Sequence, residues 1–363
     1  MTLIQGNDFL DNISTYKPGK SSQDLGNKSL IKLSSNENPF GAAIDQSQFN
    51  SYYKNIERYA NTTDNDLIYA LGKHHKITTD SFILGNGSDE LFQFISQCFL
   101  NPQSEAISSD HTFSVYKSCV QVMGARYISV EMSDFRYNLD LILTKITQHT
   151  KVIFIANPNN PTGTFLTFSE IKQFLSSVPH HVLVVLDEAY KDYVQNEERD
   201  LTLSLLSEFE NIIITRTFSK MYGLAGLRLG YGIASPKIIS LLSKVKPPFN
   251  INLIALKAGL DALKNKSFVQ HSYTQNCAGL SLLKKASSDW NCDLISSQAN
   301  FICINNKTYL ANELFDLFAK EGYIIRDLSS FDLPNAIRIT IGNDKDVKHC
   351  IAILDKLFKK IKE

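Results

Sequence analysis

Three short apolar segments, each followed directly by polar residues, decide how this chain folds. They are KVIFIANPNNPTG (151–163), HVLVVLDEAY (181–190) and NIIITRTFSK (211–220). Their apolar parts are rich in β-branched residues, which predicts buried parallel strands. Between the first two lies TFSEIKQFLSSV, where Thr167 and Glu170 have the spacing of a capping box at the start of a helix. Strands that alternate with helices predict a doubly wound α/β sheet.

The chain on either side of this stretch divides into three predicted parts. Residues 1–40 are rich in Gly, Pro, Ser and Asn and predict an irregular arm with one short strand at IKL (31–33). Residues 41–270 contain the alternating pattern and predict a large domain. Residues 271–363 combine helical segments with strands such as FICIN (301–305) and predict a smaller α+β domain.

Composition excludes several classes of function. The 363 residues include 37 basic and 37 acidic side chains and no dense basic run, which argues against a large nucleic-acid interface. The six cysteines show neither CxxC nor metal-ligand spacing, so we expect a reduced, cytosolic compartment and no metal. Neither a signal peptide nor a run of 18 apolar residues is visible, so we expect neither secretion nor a membrane span.

The polar residues that follow the three apolar segments are candidate ligand-binding residues. In an open α/β sheet, ligands bind beyond the carboxyl ends of the strands, so the clusters NPNNPTG, DEAY and RTFSK should face one crevice. Each also has a structural explanation: Asp187 could cap a helix, Tyr190 could pack in the core, and Asn160 could simply form a turn. A carboxylate after a buried run, such as Asp187, is costly unless a positive group meets it.

Lys220 is the candidate nucleophile. A loop lysine is commonly solvated, but this one follows a predicted strand among Thr217 and Ser219. An amine attacks carbonyl groups once burial or a nearby cation lowers its pKa, and Schiff-base chemistry is the usual outcome. Arg228, eight residues further on, could be that cation or could bind a phosphate.

A fourth cluster predicts an anion site. FILGNGSDELFQF (82–94) reads as a strand, a glycine-rich turn and a helix that begins near Gly87 or Ser88. Free N–H groups at a helix start favour an anion, although the acidic residues could also serve as simple caps. A phosphorylated cofactor would account for this turn together with Thr217, Ser219 and Arg228.

Taken in order along the chain, these motifs resemble those of the pyridoxal-phosphate (PLP) aminotransferases of the aspartate-aminotransferase fold, fold type I. The resemblance is carried by YKPG, KLSSNENPFG, ERY, GNGSDE, ANPNNPTG, LDEAY, TFSK with GLAGLRLGY, KPPFNIN, ANF and IRITIG, which cover nearly the whole chain. Within this fold the motifs are similar to the histidinol-phosphate aminotransferase branch. That branch implies amino transfer from histidinol phosphate to 2-oxoglutarate by a ping-pong cycle, in a cytoplasmic homodimer.

The resemblance also implies roles for individual residues. Lys220 would form the internal aldimine and move protons, Asp187 would pair with the pyridine nitrogen, and Asn160 and Tyr190 would bind the ring hydroxyl. Phe113 would stack on the ring, and the cofactor phosphate would be held by Ser88, Asp89, Thr217, Ser219, Arg228 and Tyr59 of the partner subunit. Arg338 with Asn36 would grip the substrate α-carboxylate, and Tyr16 with Arg326 would contact the phosphate of histidinol phosphate.

Two positions depart from the family pattern: Phe113 stands where a tyrosine is common, and RYANT replaces the usual RYP at Tyr59. Several alternatives are weighed beside this resemblance. The same cofactor set serves aromatic and other amino-acid aminotransferases, and it also serves phosphothreonine decarboxylases. A non-catalytic scaffold would lack Lys220 or Asp187, and both are present. A nucleotide-binding reading is weak, since GNGSDE is not a GxGxxG motif.

Overall fold

A computed structural model of the protein describes residues 6–13, 15, 30–195 and 197–359. The strands are β1 Ile31–Lys32, β2 Phe82–Gly85, β3 Glu105–Ser109, β4 Arg126–Val130, β5 Thr150–Ala156, β6 Leu183–Asp187, β7 Ile212–Thr217, β8 Gly230–Ala234, β9 Asp293–Ile295, β10 Phe301–Asn305, β11 Tyr323–Ile324, β12 Arg326–Asp327 and β13 Ala336–Thr340. The α-helices are α1 Phe49–Tyr52, α2 Asp66–His75, α3 Ser88–Phe99, α4 Val115–Val122, α5 Leu139–Thr144, α6 Phe168–Ser177, α7 Leu205–Glu208, α8 Pro236–Leu242, α9 Leu253–Lys264, α10 Lys266–Ser287, α11 Ala311–Lys320 and α12 Asp344–Phe358.

The largest sheet has seven strands in the order β2-β8-β7-β6-β5-β3-β4. The run from β7 to β4 is parallel, and β8 is antiparallel to both of its neighbours. The three strands predicted from the opening stretch are β5, β6 and β7, at the centre of this sheet. β7 continues to Thr217, two residues beyond the predicted end of the strand. The predicted α/β fold with a mostly parallel sheet is therefore confirmed.

The sheet is covered by helices on both faces, which makes three layers, as expected of a doubly wound α/β sheet. Along β2, Ile83 belongs to a core with helices α3, α4 and α6. Its neighbours Phe82 and Leu84 belong to a second core with helices α2 and α9. Because successive side chains of a strand point to opposite faces, the two cores lie on opposite sides of the sheet. Burial on both sides explains why these strands are apolar throughout.

Two helix starts near the sheet follow the local sequence signals. Thr167 and Glu170 form the predicted capping box, with Thr167 Oγ1 accepting from the Glu170 N–H at 3.3 Å. Helix α3 begins at Ser88 after Gly87, whose φ of 78° is in the region that favours glycine. Within the described ranges, no helix is long and apolar enough to cross a membrane.

A second sheet of four antiparallel strands, in the order β12-β13-β10-β9, packs with α11 and α12 around a separate core. The short predicted strand of the arm is β1, and it pairs in parallel with β11 of this region. Helix α10, Lys266–Ser287, spans the predicted boundary between residues 270 and 271. The division into an arm, a large domain and a small domain therefore stays a prediction.

Candidate active site

A cavity of about 190 Å³ lies where β5, β6 and β7 end, and the last residue of each of these strands lines it. The parallel order of the strands brings all three polar clusters to this edge of the sheet. Of the predicted site residues, those that line the cavity are Asn36, Ser88, Asp89, Phe113, Asn160, Asp187, Tyr190, Thr217, Ser219, Lys220, Arg228, Arg326 and Arg338.

Asp187 is a buried carboxylate, with 5% of its surface exposed. It accepts hydrogen bonds from the Tyr116 hydroxyl at 2.6 Å, the Ala189 N–H at 3.2 Å and the Thr215 hydroxyl at 3.3 Å. Burial raises the pKa of Asp187 to about 6, while these hydrogen bonds act in the opposite direction. These three hydrogen-bond donors from the described chain are all neutral. A cationic group in the cavity would therefore stabilise the ionised Asp187 carboxylate.

Lys220 extends from the turn after β7 towards the N-terminal arm. Its ammonium group donates to the carbonyl oxygen of Ser35 at 3.2 Å and lies 5.7 Å from the ring centroid of Tyr190. The Tyr190 hydroxyl in turn accepts a hydrogen bond from the Asn36 amide at 2.9 Å. The amine and a phenol hydroxyl thus face one space, where a carbonyl compound could meet both.

The part of the cavity beside Ser88 and Arg228 suits an anion. The helix α3 starts there, and Arg228 donates to Asp89 at 3.0 Å across that helix start. A Cβ on Gly230 would lie 2.6 Å from the Ser88 nitrogen, so only glycine allows this close approach. The Ser219 hydroxyl is buried and has no hydrogen-bond partner in the described part of the chain. A phosphate group would supply that partner.

Together these features fit PLP. A cationic ring nitrogen fits the buried Asp187, a phosphate fits Ser219 and the start of α3, and an aldehyde fits Lys220. Phe113 lines the same cavity and meets Tyr116 edge-on, with ring centroids 5.6 Å apart. The assignment of each residue to the cofactor remains a prediction.

The two predicted substrate arginines lie side by side on paired strands, because Arg326 of β12 is in register with Arg338 of β13. Arg338 is buried and donates to the Ser34 carbonyl at 2.7 Å and to the Asn160 side chain. Arg326 is half-buried, with its guanidinium 5.8 Å from the ring centroid of Phe331. Both belong to the four-stranded sheet and line the cavity.

Two predicted residues do not line this cavity. Tyr59 is 82% exposed and stacks on Phe249, with ring centroids 4.5 Å apart. Its predicted place is in the cavity of the partner subunit. Tyr16 lies outside the described residues.

Sequence reasoning did not single out several residues that shape the site. Tyr116, three residues after Phe113, donates the shortest hydrogen bond to Asp187. Glu188 and Arg216, the direct neighbours of Asp187 and Thr217, form a buried ion pair at 2.8 Å. The sequence predicts that the whole cluster RTFSK faces the crevice, but Arg216 lies within β7 and, as the neighbour of Thr217 in the strand, points to the other face of the sheet. The only sequence signal for these residues is that each lies within three positions of a predicted site residue.

The sequence profile of a family described as aminotransferase class I and II matches residues 28–354. The chain belongs to the class I and II aminotransferases. It is 37% identical to the histidinol-phosphate aminotransferase of Methylobacillus flagellatus over 354 residues, which are 96% of this chain and 95% of the relative. It is also 37% identical to that of Bacillus velezensis over 362 residues, 98% of this chain and 100% of the relative.

The fold matches a solved structure, that of histidinol-phosphate aminotransferase from Sinorhizobium meliloti in complex with pyridoxal-5'-phosphate. The TM-score is 0.88 with 23% identity, covering 98% of this chain and 99% of the other. At that identity the likeness establishes the fold. The family expected from the sequence motifs is thus confirmed.

Proposed function

We propose that this protein is a PLP-dependent aminotransferase that moves the amino group of histidinol phosphate to 2-oxoglutarate in histidine biosynthesis. The products are imidazole acetol phosphate and glutamate, made in a ping-pong cycle. The observation that carries the proposal is one cavity that holds Lys220, the buried Asp187 and the Ser219 hydroxyl, for which the described residues supply no hydrogen-bond partner. The names of relatives 37% identical over nearly the whole chain support the choice of substrate.

PLP, when bound, supplies an electron sink for the charge that develops at the substrate carbon. The carboxylate of Asp187 keeps the ring nitrogen protonated because it pairs with the positive charge there. This ion pair offsets the cost of burying the ionised carboxylate. Asn160 and Tyr190 orient the ring through its hydroxyl oxygen, and Phe113 packs on the ring face. Lys220 binds the cofactor and then takes up and returns a proton at Nζ.

The cofactor phosphate is assigned to one group of residues and the substrate to another. The N–H groups of Ser88 and Asp89 and the side chains of Thr217, Ser219 and Arg228 hold the phosphate. Arg338, with Asn36 beside it, binds the α-carboxylate of glutamate or 2-oxoglutarate. Arg326 and Tyr16 bind the phosphate of histidinol phosphate, which has no α-carboxylate.

We also propose a cytoplasmic homodimer in which each subunit lends Tyr59 to the cavity of its partner. Tyr59 and Phe249 are stacked and largely exposed, together with Ile56 and Tyr53 nearby in sequence. An exposed apolar group of this kind is typical of a protein interface. Sedimentation of the purified protein tests the dimer. A Tyr59→Phe variant with unchanged cofactor affinity would argue against the role of the hydroxyl.

Absorbance spectroscopy tests the reaction. The purified holoenzyme should lose its cofactor absorbance band when histidinol phosphate is added and regain it with 2-oxoglutarate. Phenylalanine and phosphothreonine serve as competing donors, and release of carbon dioxide from phosphothreonine would indicate a decarboxylase instead. A holoenzyme whose spectrum responds to neither histidinol phosphate nor 2-oxoglutarate would contradict the proposed function.

A further inference from the structure

We propose that His111 is a positioning residue that sets the preference of this enzyme for a phosphorylated amino donor. His111 acts by holding the turn that carries Phe331, and through that turn it fixes Arg326 at the cavity. The inference rests on the proposed function, in which Arg326 binds the phosphate of histidinol phosphate.

The contact that carries this inference joins residues 220 positions apart. The Nδ1 atom of His111 lies 2.6 Å from the carbonyl oxygen of Phe331. A carbonyl oxygen can only accept, so Nδ1 carries the proton and donates. The other ring nitrogen, Nε2, lies 3.6 Å from the carboxylate of Asp110, the preceding residue. The imidazole is therefore held between the loop after β3 and the turn at Phe331.

That turn is also the support of Arg326. It is a short 3-10 helix, Ser329–Phe331, that follows β12. The guanidinium of Arg326 lies 5.8 Å from the Phe331 ring centroid, and its Nη2 donates to Ser330 Oγ at 3.4 Å. Both Phe331 and Arg326 line the cavity. A hydrogen bond that fixes the Phe331 backbone thus limits where the Arg326 charge can go.

The backbone of His111 is anchored on the cofactor side. Its carbonyl oxygen accepts from the Asn159 amide at 3.1 Å, and the neighbouring Thr112 hydroxyl donates to Asn159 Oδ1 at 2.8 Å. Asn159 precedes Asn160, which lines the cavity. His111 therefore connects the loop that holds the cofactor-facing residues to the turn that holds Arg326. We infer that His111 fixes the distance between this loop and this turn.

A matched pair of variants isolates this hydrogen bond. His111 has a φ of 42°, which asparagine and glycine both tolerate. In His111→Asn, the amide nitrogen occupies the same δ position as Nδ1 and can still donate. In His111→Gly, the backbone keeps its conformation and the donor is lost. Comparing the two removes backbone strain as an explanation.

The measurement is kcat and KM of the holoenzyme with histidinol phosphate and with histidinol, its phosphate-free counterpart. We expect His111→Gly to lower kcat/KM for histidinol phosphate by about five- to tenfold, through KM, as for the loss of one hydrogen bond. Turnover of histidinol and the cofactor absorbance should stay unchanged. His111→Asn should remain within about twofold of the wild type, and thermal unfolding checks that each variant is folded.

The outcomes separate this inference from the function on which it rests. Wild-type enzyme that does not turn over histidinol phosphate would remove both. If the wild type is active and His111→Gly slows both donors equally, His111 only supports the fold and the inference is wrong. It is also wrong if His111→Asn loses as much preference for the phosphate as His111→Gly does.

Discussion

The cavity has two walls that are built in different ways. The strand-end wall consists of Asp187, Thr217, Ser219 and Lys220, which lie at or just after the ends of β6 and β7. The arginine wall consists of Arg326, Phe331 and Arg338 of the second region. Neighbouring hydrogen-bonded strands set the first wall, since Asp187 is in register with Thr215. Contacts between distant parts of the chain set the second, since Arg338 and its acceptor Ser34 are 304 residues apart.

Because the two walls are held differently, we expect substitutions in them to affect different properties of the enzyme. The strand-end wall is tied to the central sheet and to the buried ion pair of Glu188 with Arg216 behind it. Changes there should alter stability and cofactor binding together. The arginine wall is held by a few long-range hydrogen bonds, so changes there should alter the choice of substrate while the fold persists. Four experiments test this division.

The largest effect should come from Lys220→Ala in the strand-end wall. The variant loses both the covalent attachment of the cofactor and the group that moves the proton. We expect transamination to fall by at least about a thousandfold while the protein stays folded. Turnover and thermal unfolding measure the two parts, with Lys264→Ala, an exposed lysine on α9, as the control. Turnover retained by the Lys220 variant would overturn the mechanism.

The ion pair behind the strand-end wall should dominate stability. Glu188→Gln removes the carboxylate that pairs with the buried guanidinium of Arg216. Breaking a buried pair in this way costs about 3–5 kcal/mol in the free energy of unfolding. The control is Glu208→Gln, which breaks an exposed pair with Lys172 and should cost less than about 1 kcal/mol. Denaturant unfolding of both variants measures the difference, and equal losses would show that burial does not matter here.

Asp187 should make the stability of the cofactor-free protein depend on pH. Burial raises its pKa from the usual 3.8 to about 6, so the folded protein keeps this proton to higher pH than the unfolded chain does. The stability from this group is full below pH 4 and is lost as the pH rises through about 6. We expect a loss of about 3 kcal/mol relative to Asp187→Asn across this window.

The measurement is thermal unfolding of the cofactor-free wild type and Asp187→Asn from pH 4 to pH 8. Subtracting the stability of Asp187→Asn from that of the wild type at each pH cancels the contributions of the other titrating groups. Saturation with PLP should abolish the loss, because a cationic ring nitrogen pairs with the ionised carboxylate. A difference that is constant over this range would mean that Asp187 has an ordinary pKa.

The smallest effects on activity should come from substitutions in the arginine wall. Each of the two arginine variants should mainly affect a different substrate. Arg338→Gln should lower kcat/KM for 2-oxoglutarate by about tenfold and spare histidinol phosphate, which lacks the α-carboxylate. Arg326→Gln should have the larger effect on histidinol phosphate. Steady-state kinetics with each substrate varied in turn measures this. Equal losses on both substrates in both variants would indicate that the two arginines act as one structural unit.

The parts of the fold that could be predicted are those set by local sequence. The segments VIFIA, VLVVL and IIIT predicted β5, β6 and β7 because strands buried on both faces need apolar residues throughout. The capping box at Thr167 fixed the start of α6. The predicted boundary at residue 270 instead falls inside α10, because a helix can run from one region into the next without a break in its pattern.

The sequence by itself determined which chemistry the chain carries. Lys220, Asp187 and the helix start at Ser88 follow predicted strands, and parallel strands bring their ends to one edge of the sheet. Only the tertiary structure decided what surrounds them: Tyr116 on Asp187, Ser34 and Asn160 on Arg338, and His111 on Phe331. The physical reason is the separation along the chain of the residues involved. The signals for strands and helices lie within a few neighbouring residues. These contacts join residues 71 to 304 positions apart, and only the packing of the folded chain brings such residues together.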